Sequence, residues 1–180
     1  MEVSVVIPNY NGIAFLDSVL ASLEGQTLKN FEVIFVDNGS SDGSCSFVAG
    51  NYPWVHIIEL PENYGFCKAV NEGIKASRAP YVLLLNNDTE VKEDFLEEMV
   101  AAIRRHKRAF SCAARMVQYH DRDRLDDAGN FYNALGWSFA RGKGRDIHTY
   151  EKEEQIFSSC GGAAIYRRTV SYTHLTLPTI

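Results

Sequence analysis

The stretch YVLLLNNDTEV, residues Tyr81–Val91, is an apolar run that stops abruptly on Asn86-Asn87-Asp88. The run itself reads as a buried strand. Its polar end has two readings: a turn that starts the next helix, or the edge of an active site. The next segment, KEDFLEEMVAAIRRH, has the pattern of an amphipathic helix, with acids near its start and bases at its end, as the helix dipole favours. In that setting Asp88 and Thr89 are candidate N-caps, so the stretch alone leaves the choice open.

Working back toward the N-terminus, strand and helix patterns alternate. EVSVVIP, FEVIFVD and WVHIIEL read as strands. Between them, Ile13–Leu23 carries Phe15, Leu16, Val19, Leu20 and Leu23 at helical spacing. A short helix through Phe47 follows the loop NGSSDGS, and FCKAVNEGIKAS places Phe66, Val70 and Ile74 on one helix face. This alternation predicts an α/β domain, a mostly parallel sheet with helices on its faces. Ligands of such sheets sit at the carboxyl ends of the strands. The unusual polar groups fall there: Asn9-Tyr10-Asn11, Asp37, Glu62-Asn63 and Asn86-Asn87-Asp88.

Beyond Ala109 the rhythm changes. FSCAARMVQY reads as one further strand. The following polar, glycine-rich stretch offers only short strand candidates, and FSSCGGAAIYRRTV reads as a strand containing a glycine pair.

Composition bounds the function. The chain has 180 residues, enough for one domain with a core, and 46% of them are hydrophobic. A net charge of −5 argues against a bulk electrostatic grip on nucleic acid. Cys45, Cys67, Cys112 and Cys160 form no CxxC pair, which favours a reduced, cytoplasmic setting over zinc or a disulfide scaffold. The N-terminus lacks the pattern of a signal peptide, and no apolar segment reaches the ~18–20 residues that span a bilayer. Peripheral association with the inner face of a membrane is compatible with this.

Each motif has a bland reading beside its functional one. Asn9-Tyr10-Asn11-Gly12 suits a turn. Asp37 suits either a helix cap, with Ser40, Ser41 and Asp42 as competitors, or a ribose or base acceptor. No GxGxxG follows the first strand and no Walker A motif occurs, which removes nicotinamide and P-loop readings. Magnesium or manganese needs only one or two protein carboxylates beside substrate phosphates, so Asp88 alone could serve.

Taken together, VSVVIPNYNG, FEVIFVDNGSSDGS, NYGFCKAVNEGI, YVLLLNNDTEV and CGGAAIYRR resemble glycosyltransferase family 2 in order and spacing, over Val3–Val170. The closest flavour is that of bacterial rhamnosyl- and other cell-surface polysaccharide transferases. The resemblance implies a GT-A fold, Rossmann-like, and inverting transfer from a UDP-, dTDP- or GDP-sugar to a glycan or lipid-linked acceptor. It implies that Pro8, Asn9, Tyr10 and Asn11 line base and ribose, and that Asp37 holds base or ribose. Asn63, Gly65 and Asn71 would border the diphosphate and sugar. Asn87 and Asp88 would stand at the metal and diphosphate junction, with Asp88 the ligand of Mg²⁺ or Mn²⁺. Gly161 and Gly162 would line the sugar and acceptor side.

Two departures from the family pattern stand out: Asn86 replaces the first Asp of Asp-x-Asp, and Val70 stands where a basic residue is common. The family's general base follows the GGAAIYRR strand, and SYTHLTLPTI contains no acid. The expectation is therefore a domain over 1–170 with an incomplete C-terminal part, a non-family tail over 171–180, and an unassigned base. A non-catalytic nucleotide-sugar-binding module and a sugar nucleotidyltransferase are the alternatives; the second lacks its glycine-rich loop.

Overall fold

The computed structural model describes residues 1–169, so the expected tail over 171–180 lies outside the described residues. The alternation read from the sequence is present. In chain order it runs β1 (Val3–Asn9), α1 (Ile13–Glu24), β2 (Phe31–Asp37), α2 (Ser44–Asn51), β3 (His56–Glu59), α3 (Phe66–Ala76), β4 (Tyr81–Leu85) and α4 (Phe95–Arg105). Short strands follow: β5 (Ser111–Ala113), β6 (Met116–Val117), β7 (Leu125–Asp127), β8 (Asn130–Tyr132) and β9 (Ser138–Ala140). The last strand is β10 (Ala163–Arg167).

Six strands form the main sheet in the order β3-β2-β1-β4-β10-β5. Strands β1 to β4 are parallel, and β10 is antiparallel to both β4 and β5. The strand order reverses between β1 and β4, the switch point where open α/β sheets bind ligands.

Two cores flank this sheet. On one face Leu16, Val19, Leu20 and Leu23 of α1 join Val48, Leu96, Val100 and Ile103 over Val5, Ile7, Phe35, Leu83 and Ile165. On the other, Ala69, Val70 and Ile74 of α3 cover Val6, Ile34, Val36 and Leu84. Alternate residues of one strand thus point to opposite apolar layers. That is why β1 and β4 read as continuous apolar runs. The edge strand β3 is short, with His56 and Glu59 exposed, a form that blunts edge pairing.

Asp42 ties two helices together from one side chain. It accepts the Ile13 N–H at 2.9 Å at the start of α1 and the Ser44 N–H at 3.0 Å at the start of α2. Burial raises its pKa, but the Ser44 hydroxyl and these N–H groups outweigh that and hold it below its ordinary value of 3.8. Asp42→Ala should cost about 2 kcal/mol in chemical denaturation, since it removes two caps at once. Because the folded-state pKa is lowered, this contribution is complete at neutral pH and fades as pH falls below 3.8.

Three details differ from the sequence reading. FSCAARMVQY is two strands: β5 pairs with β10, whereas β6 pairs with β7 in a separate two-stranded sheet. The glycine pair precedes β10 in a turn rather than lying within the strand. Phe66 begins α3 and is exposed, while Val70 and Ile74 are buried. Among the described residues, no helix is long and apolar enough to cross a membrane.

Candidate functional site

The abrupt end of YVLLLNND now has a structural cause. The Asn86 N–H donates to the Gly162 carbonyl at 2.9 Å, which continues the ladder one residue past β4. The Thr89 hydroxyl then closes a turn on the Asn86 carbonyl at 2.7 Å. Between them Asn87 reaches sideways across the switch point. Its amide donates to Asn9 Oδ1 at 2.7 Å.

Asn9 passes the contact on. Its own amide donates to Asp37 Oδ1 at 2.9 Å and to Ser40 Oγ at 3.2 Å. The β1–β2 register sets this up, because Asn9 pairs directly with Asp37. Ser40 donates its hydroxyl to Asp37 Oδ1 at 2.6 Å and its backbone N–H to Asp37 Oδ2 at 2.8 Å. The Asn11 N–H donates to Ser40 Oγ at 2.8 Å, and Asn11 Oδ1 accepts the Ser41 N–H at 2.8 Å. One hydrogen-bonded row therefore runs over the carboxyl ends of β4, β1 and β2. Asn9 and Asp37 are only 2% and 3% exposed, so these bonds act in a low-dielectric setting where unpaired groups would be costly.

Gly12 is the gap through which this row passes. A Cβ there would lie 2.1 Å from Asn87 Nδ2 and 2.5 Å from Asn9 Oδ1. Gly12→Ala should break the Asn87–Asn9 bond and destabilise the fold by about 2 kcal/mol, the cost of leaving buried amides unpaired. Denaturant midpoints of wild type and variant check this directly.

A second row joins the loops after β2 and β3. Asn38 donates its amide to Asn63 Oδ1 at 2.8 Å and accepts the Tyr64 N–H at 3.0 Å. Asn63 Oδ1 also accepts the Gly65 N–H at 2.9 Å, just before α3. Gly39 permits the close approach: its φ is +77°, and a Cβ would lie 2.6 Å from the Glu62 backbone.

Two concavities flank the first row. A pocket of about 390 Å³ is lined by Asp37, Ser40, Cys45, Glu59 and Pro61. Burial, and then the carboxylates of Asp37 and Glu59, push the Cys45 thiol up to about 12, so the thiol stays protonated. On the other side a cleft of about 2060 Å³ reaches Asn86, Asp88, Met116, Asp126 and Gly161. Most of it extends along α4 and β5, away from the Asn9–Asp37 row. Gly162 is buried beside Asn86: a Cβ on it would stand 3.5 Å from the Asn86 amide.

Asp88 is not a helix cap. Helix α4 starts seven residues later, at Phe95, with Asp94 in the N-cap position. Asp88 is exposed, and its carboxylate has no hydrogen-bond or ion-pair partner among the described residues. No group of three His, Cys, Asp or Glu side chains gathers there or elsewhere among the described residues. This donor set fits a divalent cation that arrives with substrate oxygens and water, rather than a metal held by the protein alone.

The remaining expected residues fall around this frame. Tyr10 is half-exposed and Asn11 exposed, with Asn11 at φ 50°, and Pro8 is half-buried within β1. Gly65 is the N-cap of α3, and Asn71 is half-buried on that helix. Val70 is fully buried against the sheet, and Lys68 is ion-paired to Glu72 at 2.7 Å. Neither supplies the missing cation. Sequence reasoning missed Ser40 as a hub, Asn38 as the tie between loops and Gly12 as the gap. The signal for all three was adjacency to Asn9 and Asp37.

Comparison with known proteins gives a consistent picture. The model of the family described as Glycosyl transferase family 2 matches residues 4–175. "Glycosyltransferase GlyG" of Streptococcus pneumoniae is 29% identical over 133 residues, covering 72% of this chain and 42% of the relative. "Putative teichuronic acid biosynthesis glycosyltransferase TuaG" of Bacillus subtilis is 29% identical over 128 residues, covering 69% of this chain and 50% of the relative. The chain thus spans about half the length of these relatives.

Among solved structures, S. aureus TarS 1-349 in complex with UDP-GlcNAc superposes with a TM-score of 0.71 at 22% identity, covering 96% of this chain and 47% of that TarS 1-349 chain. The mannosyltransferase PcManGT of Pyrobaculum calidifontis, in complex with GDP-Man and Mn²⁺, gives a TM-score of 0.70 at 18% identity. It is matched over 99% of this chain and 48% of its own. The fold is that of the GT-A glycosyltransferases.

Proposed function

Because the chain belongs to glycosyltransferase family 2, we propose that it binds a nucleoside-diphosphate sugar across the ends of β2, β1 and β4 and takes part in transferring that sugar, with inversion, to an acceptor hydroxyl. The observation that carries this reading is the row Asn87–Asn9–Asp37–Ser40 at the switch point, with a pocket at one end and a wide cleft at the other.

In this reading the nucleoside occupies the 390 Å³ pocket at Asp37 and Glu59, a volume suited to a small ligand. The diphosphate crosses toward Asp88. The first N–H groups of α3 lack intrahelical partners and favour an anion, which offsets the absence of a lysine or arginine at position 70. The sugar faces the wide cleft beside Gly161 and Gly162. Asp88 would hold a divalent cation, Mg²⁺ or Mn²⁺, which when bound offsets charge on the leaving diphosphate.

The chemistry is a single displacement. The acceptor oxygen forms a bond to the anomeric carbon as the bond to the diphosphate breaks. The nucleoside diphosphate leaves with the bonding pair, and the acceptor proton passes to a carboxylate. Residues 170–180 contain no acid, so we place that carboxylate in the part of the relatives' length that this chain does not span and assign donor binding to residues 1–169. As acceptor we assign a glycan or lipid-linked glycan, in keeping with the teichuronic acid biosynthesis that the Bacillus subtilis relative is named for.

Calorimetric titration with UDP, dTDP and GDP, with and without Mn²⁺, tests the reading. Saturable binding of at least one is expected. Failure of all three would overturn it. Binding together with efficient transfer by this chain would put the base among the described residues, with Asp126 first to substitute because it lines the wide cleft.

A further inference from the structure

The hairpin formed by β8 and β9 buries little of its own apolar surface. Phe131 and Phe139 are cross-strand partners, and both are about half exposed. Tyr132 sits next along the strand, on the opposite face, and stacks on Phe157 with ring centroids 4.7 Å apart. Leu135 and Trp137, at the tip, are 83% and 65% exposed. The tip is held in shape. The Asn133 carboxamide oxygen accepts the Leu135 and Trp137 N–H groups at 3.0 and 3.1 Å, and Asn133 N–H donates to the Trp137 carbonyl at 3.0 Å. The exposure is therefore a property of an ordered turn.

From this we infer that the β8–β9 hairpin inserts into the headgroup region of an anionic lipid surface. Two features select this occupant over a protein. Apolar groups project from both faces and from the tip, so a partner docking on one face would leave the others wet. A surrounding medium covers all of them. Charge points the same way: residues 128–145 contain Arg141, Lys143 and Arg145 and no acid. Aromatic rings with adjacent cations are the side chains that settle at an anionic interface.

The neighbouring charges temper the attraction. Arg141 is buried and paired with Glu154, and Lys143 lies 3.5 Å from Asp126. Asp146 and Asp127 stand at the hairpin's base. Arg145 is exposed. Apolar insertion is therefore the main contribution, and anionic lipid adds to it. The inference does not depend on the donor-binding reading, because the hairpin residues take no part in the Asn9–Asp37 row.

The test is co-sedimentation of the protein with vesicles of phosphatidylcholine alone or mixed with phosphatidylglycerol, whose anionic headgroups give the surface a negative potential. It is joined by fluorescence of a Trp54→Phe background, in which Trp137 is the remaining tryptophan. We expect binding to the anionic vesicles and a blue shift of Trp137 emission. Leu135→Ser with Trp137→Ser should lower partition about tenfold or more. Lys143→Glu with Arg145→Glu should reduce the preference for anionic lipid while keeping residual binding. Nucleotide affinity and far-UV circular dichroism should be unchanged in both variants, which separates lost insertion from lost folding. Absence of binding and of any blue shift up to millimolar lipid would overturn the inference. So would a concentration-dependent dimer in sedimentation velocity that Leu135→Ser with Trp137→Ser converts to monomer, since that would make a second copy the occupant.

Discussion

Asp88→Ala is expected to remove metal-dependent donor binding and leave the fold untouched. The side chain is exposed and makes no hydrogen bond or ion pair among the described residues, so folding does not depend on it. Substitution at such a position typically changes stability by less than about 0.5 kcal/mol. The loss of a direct metal–carboxylate contact should instead weaken nucleotide-sugar affinity in the presence of Mn²⁺ about a hundredfold, or ~2.7 kcal/mol. Affinity measured with excess chelator should be the same for wild type and variant. Titration calorimetry with and without Mn²⁺ reads both quantities. A variant with wild-type metal dependence would remove Asp88 from the site and would leave its exposed carboxylate at the strand end without a role.

The first hundred residues were legible because three of their four strands, β1, β2 and β4, are buried on both faces. VSVVI and YVLLL have nothing to do but pack, so their periodicity and ends could be read directly. The second part resisted for a physical reason. Strands of two or three residues, such as Met116–Val117 and Ser138–Ala140, have no period to detect. Their positions are set by distant partners, as when Met116 pairs with Asp127 or Arg141 is held under Tyr150, 3.8 Å from its ring centroid. Local sequence also did not tell a buried aromatic from an exposed one. NFYNALGWSFA reads as short strands, while its exposure depends on what fails to cover it. At the site, the residue types at strand ends were legible, but their mutual contacts were not. Asn9 and Asp37 are 28 positions apart, and only the parallel register of β1 and β2 shows that they touch. The choice between cap and site at Asp88 likewise needed the start of α4, seven residues beyond Asp88.

Asp37→Ala should behave in the opposite way to Asp88→Ala. The sequence left Asp37 open between a helix cap and an acceptor for base or ribose, and the family resemblance implied the second. The structure shows one that is 3% exposed and already accepts the Asn9 amide, the Ser40 hydroxyl and the Ser40 N–H. Removing it strands those donors at the carboxyl ends of β1 and β2, where each unpaired buried group costs about 1–3 kcal/mol. The loss of stability should be about 3 kcal/mol, or roughly 10 °C in Tm for a chain of this size. Asp37→Asn should not rescue it fully, because an amide offers one acceptor oxygen where three donors converge and turns its NH₂ toward one of them. Free nucleotide should also bind more weakly, since Asp37 lines the 390 Å³ pocket. The comparison that separates the two effects is made well below both melting temperatures, with the folded fraction fixed by circular dichroism. A nucleotide affinity unchanged there, beside a lowered Tm, would make Asp37 a scaffold for the row and move the nucleoside contact to Glu59 or to the backbone of the Ser40–Ser41 turn.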